Sequence, residues 1–319
     1  MQQPNVVLLS LHPEHAAKIL SGEKKLEFRR KWTAQPIEAF VIYVTAPVQK
    51  IVAIAYVKQV HEGSPTALWG LAKEVGGGLT RQTLYGYFKG KKSGFAIEIA
   101  SVQQFSRLLD PSKFIKGFHP PQSFAYVSND VVDQLQKNLA SSSLAGRVIF
   151  VAGVHGVGKT TLCDNFVSAN GLKHKSASQL IREFKQSAIS NVGKAVKDIA
   201  GNQEILIEAV RQYRTSGETL ILDGHFALWD EDHRIQPLEA GVFERLGIDG
   251  VIVVHDKPSN IARRLARRDS HAASVDAIDE IQRVELSRAS LVAKDLGIPI
   301  AEVRSGDGLR FGHLMNVLC

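Results

Sequence analysis

The chain has 319 residues, of which 44% are hydrophobic and 22% charged, with a net charge of +7; that is material for two cores by the soft prior of about 150 residues per domain. No apolar run approaches the roughly 20 residues needed to span a bilayer, the start lacks the basic region of a secretory signal, and the only cysteines are Cys163 and Cys319. Membrane, disulfide-scaffold and cysteine-rich metal classes are therefore excluded, and a reducing cytoplasm is expected.

Residues 1–140 carry 17 Lys and Arg against 10 Asp and Glu, while the remainder carries 22 of each. The positive excess lies wholly in the first part and points to a polyanion or nucleotide partner there, with a solvated basic face as the alternative. Residues 6–11 form an apolar strand, and 12–20 a short helix with Pro13 in its first turn and Gly22 at its stop. Residues 25–29 alternate with period 2, which sets Lys25, Glu27 and Arg29 on one side and Leu26 and Phe28 on the other. Further strands are expected at 41–45, 51–57 and 95–100, rich in β-branched and aromatic residues, with a short helix at 81–88 between glycine-rich turns. Strands that close on one another with two helices imply a small β-barrel of α+β type. Around Lys24, Glu27, Arg29 and Trp32, basic groups, an acid and an aromatic suit a nucleobase and its phosphate. A charged barrel strand beside core aromatics is the alternative.

The small, polar stretch 138–146 reads as a flexible connection. We therefore expect a first domain at 1–135, a linker at 136–146 and a second domain at 147–319. In the second, strands at 148–152, 219–222, 250–255 and 298–303 alternate with helices from 159 and at 177–184, 203–214, 259–268 and 276–296. That order points to an α/β domain with a mostly parallel sheet. Gly153-Val154-His155-Gly156-Val157-Gly158-Lys159-Thr160 is a complete GxxxxGK[ST] phosphate loop between strand and helix, continued by Thr161. Its glycines let backbone N–H groups turn inward around a polyphosphate. Lys159 reaches the β- and γ-phosphates, and the Thr160 hydroxyl suits Mg²⁺, so ATP and Mg²⁺ are the expected cofactors. Asp223, at a strand's carboxyl end, is placed to hold the metal or its water shell. Arg263, Arg264, Arg267 and Arg268 form i,i+4 pairs that gather guanidiniums for a transferring phosphoryl group, or make a solvated helix face. His225 is a candidate to orient an acceptor hydroxyl, or to bond within its loop.

Residues 5–127 resemble the ASCH family of the PUA-like superfamily. The resemblance is carried by Ser21-Gly22-Glu23-Lys24 with Leu26-Glu27-Phe28-Arg29-Arg30, by Tyr87-Phe88-Lys89-Gly90 leading to the strand from Gly94, and by Pro120-Pro121-Gln122-Ser123-Phe124. It implies a small barrel with a cleft for RNA or a modified nucleotide, lined by Lys24, Glu27 and Arg29. Small ASCH amidohydrolases of acetylated cytidine use a Lys, a Thr and a Glu; Glu27 stands at the Thr position, which implies a binder here.

Residues 147–310 resemble nucleoside monophosphate kinases, particularly the archaeal-type adenylate kinases, through the phosphate loop, Leu222-Asp223-Gly224-His225, the arginine stretch 263–268 and Ser287-Arg288-Ala289. That resemblance implies Lys159 and Thr160 for phosphates and Mg²⁺, Asp223 for the metal, and Arg263, Arg267 and Arg288 for the transferred group. Arg182 is implied for an acceptor phosphate. His155 in the loop, the lack of Pro-Arg after His225, and a short lid at 267–274 depart from the family and leave the acceptor open. The expected reaction is in-line phosphoryl transfer from ATP–Mg²⁺. An RNA-binding ATPase switch and a polynucleotide 5′-kinase are the alternatives.

Overall fold

A computed structural model describes residues 5–140, 146–189, 199–230, 232, 234–268 and 274–319. They fall into two units, Met1–Ser143 with His313–Val317, and Leu144–Gly312 with Leu318–Cys319.

The amino-terminal unit runs β1 (Val6–Leu11), α1 (Pro13–Leu20), β2 (Leu26–Arg29), β3 (Ala39–Val44), β4 (Lys50–Gly63), α2 (Pro65–Leu71), α3 (Arg81–Tyr87), β5 (Gly94–Leu109), β6 (Ala125–Tyr126) and α4 (Asn129–Ala140). Its six strands form one sheet in the order β2-β5-β4-β3-β1-β6. Only β1 and β3 pair in parallel. The hydroxyls of Ser64 and Thr80 accept from the N–H groups of Ala67 and Thr83 at the starts of α2 and α3, caps that typically contribute about 1 kcal/mol each. One apolar cluster joins β1, β3 and β4 to α4 through Leu8, Val41, Ile54 and Leu135. A second joins β2 to α2 and α3 through Leu26, Phe28, Leu68 and Leu84.

The expected barrel is a half-barrel. Arg29 on β2 reaches across to the carbonyls of Ser10 on β1, at 3.3 Å, and Ser123 just before β6, at 3.0 Å. One guanidinium thus does what a closing backbone ladder would do in a full barrel. Helix α4 runs to Ala140, so residues 136–140 of the expected linker are helical, anchored by buried Leu135. Residues 141–145 lie outside the described residues.

The carboxyl-terminal unit runs β7 (Val148–Ala152), α5 (Lys159–Asn170), β8 (Lys173–Ser176), α6 (Ala177–Ile189), α7 (Ile199–Thr215), β9 (Leu220–Asp223), β10 (Ala227–Trp229), β11 (Ile235–Pro237), α8 (Ala240–Leu246), β12 (Gly250–His255), α9 (Pro258–Arg268), α10 (Val275–Leu296), β13 (Ile300–Arg304) and α11 (Gly308–Leu318). Five strands make an all-parallel sheet ordered β13-β12-β7-β9-β8. Every residue of central β7 is buried, as a parallel strand covered on both faces requires. The chain leaves β7 toward β8 and β9 on one side and returns to β12 and β13 on the other. The carboxyl end of β7 is therefore a topological switch point, where open α/β sheets bind ligands. Beneath it Phe150, Phe226 and Phe243 pack ring on ring, with centroids 4.3 to 5.5 Å apart.

Candidate active site and a buried ionic cavity

Between β7 and α5, Gly153, Gly156 and Gly158 hold φ of 139°, 74° and 105°, values that L side chains rarely adopt. A Cβ at Gly153 would also stand 2.4 Å from the carbonyl oxygen of Val254. Lys159 is buried, and its Nζ donates to the carbonyls of Gly153, at 2.5 Å, and Val154, at 3.4 Å. Burial pushes its amine below the ordinary lysine range, with Asp223 and Glu285 opposing. Thr160 Oγ1 donates to Asp223 Oδ2 at 3.2 Å. The hydroxyl and the carboxylate that suit Mg²⁺ are thus side by side at the sheet's carboxyl edge.

Three further side chains hold this frame: Glu285 and His174, which sequence reasoning does not find, and Arg264, which it names only within the arginine stretch 263–268. Glu285 on α10 is 1% exposed. Its Oε1 accepts from Gly153 N at 2.9 Å, and its Oε2 from Phe226 N and Ala227 N at 2.8 and 2.7 Å. Burial pushes its carboxyl up, while those N–H groups pull the other way. His174 on β8 lies between two acids, with Nε2 3.0 Å from Asp223 Oδ2 and Nδ1 2.7 Å from Asp164 Oδ1. Burial opposes charge on the ring, but the paired carboxylates outweigh it and raise its pKa. Arg264 Nη1 donates to Val157 O at 3.1 Å and to Ser305 Oγ at 3.0 Å, and its Nη2 pairs with Asp256. It ties α9 to the loop.

A cavity of about 920 Å³ opens over the loop and is lined by Val154, His155, Gly156, Gly158, Lys159, Thr160 and Thr161, with Asp223, His225 and Arg267. Gly153 and Val157 do not line it. His225 has its ring centroid 4.1 Å from that of His155. Burial, then the charges of Lys159 and His155, push its pKa down to about 2, against a hydrogen bond to the Gly153 backbone. The imidazole is therefore neutral at ordinary pH.

The structure does not bring Arg182, Arg263 and Arg288 to this cavity. Arg182 and Arg263 are exposed, and Arg288 gives its Nε to the carbonyl of Leu238 at 2.8 Å. Helical rotation of about 100° per residue explains the first two, because Ile181 and Arg264 take the inward places. Residues 269–273 of the expected lid lie outside the described residues.

In the amino-terminal unit, Lys24, Glu27 and Arg29 are buried together. Lys24 Nζ pairs with Glu27 Oε2, and Arg29 Nη2 lies 2.9 Å from Glu27 Oε1. Burial opposes ionisation of Glu27, but the two cations outweigh it and hold its carboxyl below the usual range. Lys25, which the alternation groups with Glu27, is exposed; β2 begins only at Leu26, so the period does not extend to it. The trio bounds a cavity of about 200 Å³ together with Ser10 and His15. Ser10 Oγ, His15 Nδ1 and Arg29 Nε are buried there without a hydrogen-bond partner, the condition of a site shaped for a polar ligand. Burial, then the nearby Lys24 charge, lowers the pKa of His15 and keeps it neutral. Trp32 does not line this cavity; it packs on Phe124 with ring centroids 5.4 Å apart.

A parallel sheet in this order, with a phosphate loop at its switch point and an open cavity above, defines an α/β phosphate-loop unit. The AAA domain family matches residues 152–282. The ASCH domain-containing ribonuclease of Zymomonas mobilis is 32% identical over 132 residues, covering 40% of this chain and 88% of that protein. By that match, in its amino-terminal region, the chain belongs to the ASCH domain family. Among solved structures, ASCH from Zymomonas mobilis is similar at 27% identity and a TM-score of 0.39, over 42% of this chain and 94% of the other. A gluconokinase from Sinorhizobium meliloti is 15% identical with a TM-score of 0.32, over 55% and 90%. Shikimate kinase from Bacteroides thetaiotaomicron is 17% identical with a TM-score of 0.31, over 54% and 94%. Among the described residues no helix is long and apolar enough to cross a membrane.

Proposed function

We propose that the protein is an ATP- and Mg²⁺-dependent phosphotransferase of the nucleotide or nucleoside kinase type, whose amino-terminal unit binds RNA or a modified nucleotide. The observation that carries this reading is the meeting of Lys159, Thr160 and Asp223 at a cavity of about 920 Å³, with room for an acceptor besides a triphosphate tail. The N–H groups of the loop and the start of α5 receive the phosphates. Lys159 exchanges its two carbonyl partners for β- and γ-phosphate oxygens. Thr160 and Asp223 would hold Mg²⁺, which when bound would neutralise phosphate charge. Among the described residues no three His, Cys, Asp or Glu side chains are grouped to hold a metal alone. Arg267 offers its guanidinium to charge developing on the transferred group, and neutral His225 orients the acceptor. Transfer in line between two oxygens requires no covalent protein intermediate. The buried Cys163 thiol, its pKa pushed far up by burial, is unsuited to form one.

The test is to incubate the full chain with ATP–Mg²⁺ and a panel of nucleosides, nucleotides and short RNAs, and to measure ADP and product together. ADP matched by a phosphorylated acceptor is the expected result. RNA-stimulated phosphate release without such a product replaces the reading with an ATPase switch. Phosphorylation of a 5′-hydroxyl oligonucleotide identifies a polynucleotide kinase.

A second reading of the amino-terminal unit is RNA cleavage. It is favoured by the unpaired Ser10, His15 and Arg29 atoms beside Lys24 and by the name of the Zymomonas relative. RNA cut without ATP, and spared by Lys24→Ala, would establish it.

A further inference from the structure

The phosphate end of the large cavity is charged, and its opposite wall is not. Lys159, Asp223, Arg264 and Arg267 are the charged side chains among the described lining residues. The first three are fixed to or beside the loop, through Gly153, Thr160 and Val157 respectively; Arg267 lies one helical turn beyond Arg264. The remaining wall comes from α6, α7 and α8. It presents Ile181, Leu206, Val242 and Phe243, and its polar members, which include Ser178 and Asn202, are neutral. Several charges of these helices are engaged away from the cavity. Arg182 is exposed, Glu183 pairs with Lys175 at 2.7 Å, and Glu204 of α7 pairs with Arg245 of α8, both exposed.

Resting on the phosphotransfer reading above, we infer that the acceptor is an uncharged molecule with a flat, mostly apolar body and a transferable hydroxyl, of the nucleoside class, rather than a nucleoside monophosphate or a sugar acid. Among the described residues this wall offers a phosphate or carboxylate no cation in exchange for its lost water, which disfavours binding. A planar base meets what the wall offers. Phe150 and Phe243, with ring centroids 5.5 Å apart, both line the cavity; as buried rings they back an apolar wall. Asn202 lines the cavity, and its Oδ1 is buried without a hydrogen-bond partner. It needs an N–H or O–H donor, and the amide as a whole presents the acceptor-and-donor pair that complements a base edge. The hydroxyl to be phosphorylated then points toward His225 and Lys159. In the balanced step its oxygen bonds to the γ-phosphorus, the bond to the β-γ bridging oxygen breaks, ADP leaves with that electron pair, and the hydroxyl proton passes to solvent or to the transferred phosphate.

The experiment uses the full chain and two readouts. Calorimetry with a non-hydrolysable ATP analogue and Mg²⁺ measures binding of adenosine, guanosine, cytidine, uridine and their 5′-monophosphates. ADP release and product mass are measured with ATP and the same compounds, plus gluconate and shikimate. At least one nucleoside should bind tenfold or more tightly than its own monophosphate and be the better acceptor. Asn202→Ala should weaken that nucleoside at least tenfold, and Ile181→Arg should shift preference toward the monophosphate. Preference for a monophosphate or a sugar acid overturns the inference and leaves phosphotransfer standing. A nucleoside that binds through Asn202 and is never phosphorylated upholds the site while removing the phosphotransfer reading. No nucleoside binding overturns the inference.

Discussion

Replacing Glu285 by Gln exchanges an acceptor for a donor where α10 meets the phosphate loop. The amide oxygen can keep the N–H groups of Phe226 and Ala227, which now share Oε2. The NH₂ then faces Gly153 N–H, 2.9 Å away on the other oxygen's side, and two donors meet. A hydrogen bond to a charged acceptor contributes about 1.5–3 kcal/mol, and a buried orphan N–H costs about 1–3 kcal/mol. Relief from burying a carboxylate offsets part of this, as the raised pKa of Glu285 implies. A net loss of about 2 kcal/mol follows, or about 4–8 °C in Tm for a unit of this size. The pH dependence has a definite sign. A raised folded-state pKa contributes stability that is full below the unfolded value and is lost as pH rises through the folded one. The deficit of the variant relative to wild type should therefore grow as pH falls from 8 toward 4.5. Thermal unfolding of both proteins over that range, with and without ATP–Mg²⁺, checks it. A variant within 0.5 kcal/mol of wild type, with the same stabilisation by ATP, would refute the claim that this carboxylate holds the loop.

Gly153→Ala places a Cβ against Val254 O at a φ of 139°, so it should unfold at lower temperature and lose ATP–Mg²⁺ binding; wild-type melting would contradict the steric argument. Arg267→Ala should lower kcat about 100-fold or more while ATP still binds, measured by steady-state kinetics beside calorimetry. Glu27 has a depressed folded-state pKa, so its stabilisation is present above about 4.5 and lost as pH falls through the folded value. Glu27→Gln should flatten acid unfolding of the full chain in that window. Lys24→Ala should weaken RNA or nucleotide binding at least tenfold and reduce the salt dependence of that affinity; an unchanged salt slope would remove the amino-terminal pocket from RNA recognition.

The phosphate loop was legible because its glycines answer local demands, and Asp223 because it ends an apolar strand. Strand β8 was not, since Lys173-His174-Lys175-Ser176 lacks apolar alternation and pairs with β9 at the sheet's edge. His174 was hidden with it. Glu285 reads as an ordinary solvated helix residue, and only the packing of α10 under the loop reveals its three backbone partners. Strands β4 and β5 outrun their apolar segments because polar positions such as Gln59 and Gln103 still pair through the backbone. Helix α11 carries its own local signal, Asp307 before Leu309, Phe311, Leu314 and Met315, and that acid accepts from Arg310 N at 3.0 Å. Arg182, Arg263 and Arg288 were inferred from order along the chain, which fixes neither helical phase nor the direction of a long side chain.

The most direct test is calorimetric titration of the full chain with ATP, with and without Mg²⁺, beside the Lys159→Ala variant. One ATP per chain, bound more tightly with Mg²⁺ and lost in Lys159→Ala, is the predicted result. No binding, or equal binding by the variant, would contradict the account.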